Sequence, residues 1–125
     1  MQSKKLVNTI VGLLVLQFVL GMLANLYATV PQQKSYEVFH QLGFITFHAL
    51  NGTLLVILGV VFLVKSRKTS SLKPAIGGLA SMVLAYTFGE LFVFTHHDIF
   101  SFLMSLSFIG ALLSYARVAF SGQRS

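Results

Sequence analysis

Polar and apolar residues alternate along this chain in long blocks. Four apolar runs, at about 6–28, 42–64, 74–94 and 99–120, are broken only by isolated polar positions. The first contains Asn8, Thr9, Gln17 and Asn25 and ends before Pro31. The second stops at Lys65-Ser66-Arg67-Lys68, and the third opens at Lys73-Pro74. A proline costs a helix nothing in its first turn, where the backbone N–H has no partner. A hydrocarbon layer about 30 Å thick takes about 20 apolar residues of helix. No run shows the two-residue alternation of a barrel strand, and only helices and closed barrels satisfy the backbone in lipid. The expected fold is all-α: one transmembrane domain over 1–125, an integral membrane up-down-up-down four-helix bundle in which short connections make neighbours antiparallel.

Composition agrees with this. Apolar residues make up 55% of the chain and charged residues 10%, against about 25% charged in soluble domains. There is no cysteine, which removes disulfides, thiolate metal sites and cysteine nucleophiles. The start of the chain has some signal-peptide features: Lys4 and Lys5, an apolar stretch, then Ala24 and Ala28 as small residues. That stretch exceeds the usual core of about 7–15 residues, so an uncleaved helix is expected.

The net charge of +6 would suggest nucleic acid in a soluble protein. Here the positions of the charges give a different reading. With alternating spans, Lys4, Lys5, Lys65, Arg67, Lys68, Lys73, Arg117 and Arg124 share one side, and Lys34 alone lies on the other. Basic residues stay cytoplasmic, so both termini and the 65–73 loop are expected in the cytoplasm of a bacterial cell, with the chain in the cytoplasmic membrane. No basic region outside the spans remains to hold nucleic acid. The expected partners are the lipid bilayer, another copy of the chain, or another membrane protein.

Small residues indicate how the spans meet. Gly77, Ser81, Ala85 and Gly89 are spaced by four along the third span. They form a shallow ridge that lets a neighbouring backbone come close. The fourth span carries Ser101/Ser105 and Gly110/Ser114 at the same spacing, and Gly52 and Gly59 share a face of the second.

Candidate chemistry gathers toward the side opposite the basic residues. Glu37, Glu90, Asp98, His40, His48, His96 and His97 include every acid and every histidine. Ionisable groups inside a membrane are costly and tend to mark function. His48 lies about two turns inside the second span and Glu90 about one turn inside the third. Asn51 shares a helical face with His48. His97, Met104, Phe108 and Tyr115 fall on one stripe of the fourth span. Three chemical readings follow. His48 and His97 can ligate a haem b, with Asn51, Met104 and Phe108 as lining. His48, Glu90, His97 and Asp98 offer the donors that zinc or iron prefers. A buried Glu90 with a histidine partner suits a proton-linked site. A fourth, purely structural reading has His48, Asn51, Asn25 and Glu90 bonding one another to fasten the helix ends. Enzyme templates such as a phosphate loop, His-Glu-x-x-His or a nucleophile elbow do not occur, so no catalytic residue is assigned and an accessory role is the leading expectation.

The stretches Leu20-Gly21-Met22-Leu23-Ala24-Asn25-Leu26-Tyr27, His48-Ala49-Leu50-Asn51-Gly52-Thr53-Leu54-Leu55 and His97-Asp98-Ile99-Phe100-Ser101-Phe102-Leu103-Met104-Ser105 resemble a group of small, uncharacterised bacterial four-span membrane proteins. That resemblance implies the fold and the membrane setting, and no activity. A looser likeness to the four-helix bundles of b-type cytochromes and haem A synthase halves is architectural.

Overall fold

The computed structural model describes residues 2–27 and 38–121, with side chains described over 3–25 and 43–121. Lys34, Glu37, Arg124 and the side chain of His40 lie outside the described residues. The chain forms four helices, α1 (Gln2–Tyr27), α2 (Val38–Ser66), α3 (Leu72–Thr95) and α4 (Asp98–Ser121). Each is long and apolar enough to cross a membrane, over Ser3–Asn25, Gly43–Ser66, Leu72–Thr95 and Asp98–Ser121. Large apolar side chains face outward on every helix, among them Phe18, Phe47, Ile57, Val83, Phe102 and Leu113. In water this surface would drive aggregation; in lipid it is matched to its solvent. The protein is therefore a multi-pass membrane four-helix bundle.

Local chemistry sets the helix ends. Past Ser66, both Thr69 N–H and Thr69 Oγ1 bond the Ser66 carbonyl at 3.0 Å, turning the chain. Pro74 then sits in the first turn of α3, as expected. At the other end of α3, His96 adopts a left-handed backbone (φ 57°) and its N–H bonds the Phe92 carbonyl at 2.8 Å. Such a residue ends a helix by satisfying a carbonyl that would otherwise be orphaned. Asp98 opens α4 with a carboxylate in its first turn, where the helix dipole favours negative charge. The His96-His97-Asp98 segment thus makes the tight α3–α4 connection.

Each helix packs on its two neighbours in the order α1, α2, α3, α4 and back to α1, with α3 against α4 the most extensive interface and α1 against α2 next. The ridge on α3 accounts for the first. A Cβ on Gly77 would lie 3.6 Å from Ser114 Oγ, one on Gly110 3.0 Å from Ser81 Oγ, and one on Gly89 3.1 Å from Met104 Sδ. The partner of the α3 ridge is α4, through its Gly110/Ser114 pair.

Burial is uneven along the bundle. The core consists of Val7, Ile10 and Leu14, Leu55 and Phe62, Ala75 and Met82, and Ala111, Tyr115 and Ala119. In antiparallel helices these positions fall in the half nearest the basic residues. Tyr115, fully buried, fills its centre edge-on to Phe62, with ring centroids 5.8 Å apart. Glycines give it room. A Cβ on Gly78 would lie 2.5 Å from Tyr115 Cε2, and one on Gly59 3.0 Å from its hydroxyl. In the opposite half, Asn51 is the sole buried side chain among the described residues.

Candidate functional site

Asn51 belongs to a chain of polar side chains that joins α1 to α2. His48 and Asn51, three residues apart, project from one face of α2 toward Gln17 on α1. Asn51 Nδ2 donates to Gln17 Oε1 at 2.8 Å and to the Leu13 carbonyl at 3.1 Å. With its oxygen so engaged, Gln17 turns its Nε2 to His48 Nε2 at 3.3 Å. The amide nitrogen can only donate, so His48 Nε2 accepts and the imidazole carries its proton on Nδ1. Nδ1 is buried and has no hydrogen-bond partner.

Two glycines let the helices come this close. A Cβ on Gly21 would sit 3.1 Å from His48 Cε1, and one on Gly52 3.2 Å from Gln17 Nε2. Both nitrogens of His48 therefore face α1, Nε2 toward Gln17 and Nδ1 beside Gly21. Hydrogen bonds between membrane helices contribute about 0.6 kcal/mol each on average and up to about 1.7. This relay fastens the α1–α2 hairpin as the small-residue ridge fastens α3 to α4.

The other residues singled out from sequence lie elsewhere. Glu90, expected to be shielded, is exposed, as are His96, His97, Asp98 and Asn25. Among the described residues, no group of three or more His, Asp or Glu side chains could hold a metal ion, so His48, Glu90, His97 and Asp98 are not gathered into such a group. The reason is directional. His48 turns toward α1, whereas His97 and Asp98 occupy the connection and first turn of α4, the helix diagonal to α2. Met104 abuts Gly89 at the α3–α4 contact. Phe108 stacks on Phe18 of α1, centroids 6.1 Å apart. Of the proposed lining, Asn51 shares a hydrogen-bond partner, Gln17, with His48.

Gln17 is the member that sequence reading missed as a site residue. Its signal was available: an amide halfway along an apolar span, four residues before a glycine. Comparison of the chain with protein-family models, with curated proteins and with solved structures gives no match.

Proposed function

We propose that the chain is a small accessory protein of a bacterial cytoplasmic membrane, acting through helix packing rather than through chemistry at a cofactor. The observation that supports this reading is how the inward polar groups are used. Gln17, His48 and Asn51 bind one another across α1 and α2, and Ser81 and Ser114 meet glycines across α3 and α4. The inward chemistry thus holds two hairpins together, and the outer faces are left apolar for lipid or a protein neighbour. The orientation proposed has both termini cytoplasmic. Lys4, Lys5, Lys65, Arg67, Lys68, Lys73 and Arg117 are all exposed at one end of the bundle, the distribution that keeps an end in the cytoplasm.

A photo-reactive residue at Leu113, which faces outward on α4, tests the reading in cells. One discrete protein adduct, either a second copy or a single neighbour, is expected. Lipid adducts alone would count against an accessory role. Protein purified in mild detergent is expected to show no Soret band. A Soret band that shifts on reduction and disappears in both His48→Ala and His97→Ala would replace this reading with haem ligation.

A further inference from the structure

A groove runs along the lipid side of the α1–α2 hairpin, about 360 Å³ in volume and lined by Leu16, Leu20, Phe47, Leu50, Asn51 and Leu54. Asn51 is its one polar residue. The orientation of the Asn51 amide follows from its neighbours: the atom facing Gln17 Oε1 and the Leu13 carbonyl must be the nitrogen, because two acceptors require a donor. Nδ2 is spent on those two bonds. Among the described residues no donor reaches the oxygen, Oδ1. Asn51 as a whole is 7% exposed, and the groove is where it surfaces. The result is an apolar trough with one unpartnered hydrogen-bond acceptor in its wall.

Its depth limits what can fill it. Asn51 lies eight residues beyond Gly43, the first residue of the described part of this apolar span, about 12 Å along the helix at 1.5 Å per residue. Water does not reach a lipid-facing wall at that depth, so the carbonyl must find its donor in the membrane. A phospholipid cannot supply one: its head group stays at the interface and its acyl chains have no donor. A neutral, hydrocarbon-soluble ligand equipped with an O–H meets these requirements. Phe47, 64% exposed on the groove wall, offers a ring face to a planar head, and the leucines offer a channel for a tail.

We propose that this groove binds a lipid-soluble aromatic alcohol of the quinol class, with its hydroxyl donating to Asn51 Oδ1, its ring against Phe47 and its tail along the leucines. The oxidised quinone has acceptors only and is disfavoured by the same geometry, so the site selects the reduced form. The binding step involves no electron transfer.

The test titrates 2-decyl-1,4-hydroquinone, under argon, into the protein in phosphatidylcholine nanodiscs while leucine methyl resonances are followed. Its dimethyl ether, which keeps ring and tail but loses both donors, is the paired probe. The hydroquinone is expected to shift Leu16, Leu20, Leu50 and Leu54 saturably and to leave Leu113 unmoved. The ether is expected to bind about five- to tenfold more weakly, the loss of one hydrogen bond. Because the donor is removed from the ligand, folding of the protein does not confound the comparison. Leu54→Phe, or Leu20→Phe from the facing wall, fills the groove and is expected to abolish saturation. Equal affinity for hydroquinone and ether, no saturable shift, or unaltered binding in both filled variants would each overturn the proposal. None of these outcomes alters the cross-linking result expected at Leu113.

Discussion

Gly78→Ala tests the centre of the bundle with the smallest available perturbation. The added Cβ would lie 2.5, 2.7 and 3.0 Å from Tyr115 Cε2, Cζ and Cδ2, where carbon atoms prefer about 3.5–4.0 Å. Something must move by about 1 Å. Tyr115 has little freedom to do so. It is 0% exposed, with Phe62 against one side of the ring and Gly59 at the hydroxyl. Overpacking of this kind costs about 1–3 kcal/mol, and the severity of the overlap places it high in that range. Against it, alanine gains about 0.8–1.0 kcal/mol over glycine in helix propensity. The expected net loss is about 1–2 kcal/mol, measured by denaturant titration in mild detergent or bicelles. The decisive comparison is the same substitution beside Tyr115→Val, which withdraws all three clashing ring atoms. There the propensity gain remains without the clash, so Gly78→Ala is expected to be neutral or to stabilise by up to about 1 kcal/mol. A destabilisation of equal size in both backgrounds would refute the steric account, as would a stabilised single variant.

Three further outcomes are expected. Gln17→Leu strips His48 of its partner and Asn51 of one of two acceptors, and should cost about 1–3 kcal/mol; a cycle with Asn51→Leu should show coupling of about 0.6–1.7 kcal/mol, and strict additivity would dissolve the relay. Ser81→Leu and Ala85→Leu should each lower thermal stability in detergent, because the α3 ridge lies against α4; two unchanged melting temperatures would mean that this face meets lipid. A compartment-sensitive reporter fused at Ser125 should report cytoplasm, with the segments near 30–41 and 95–98 outside; activity only beyond the membrane would reverse the orientation.

Much of the architecture could be read directly along the chain, because lipid makes it a one-dimensional problem. A helix must satisfy its own backbone and match a fixed thickness, so run length alone gives four spans. The four-residue spacing of Gly77, Ser81, Ala85 and Gly89 also announced a close contact, since small side chains at that spacing share a face whatever the partner. Which helix fills that contact, and which polar groups meet, depends on how each helix is rotated about its axis, and helices apolar all round carry no stripe that fixes a rotation. Packing decided it instead: Gly21 and Gly52 let α1 approach α2 closely enough for Gln17 to reach His48 and Asn51, and that rotation turned His48 toward α1. The acids and histidines were expected on one side of the membrane from sequence; only the tertiary structure, by turning each helix, brought His48 to Gln17 and Asn51.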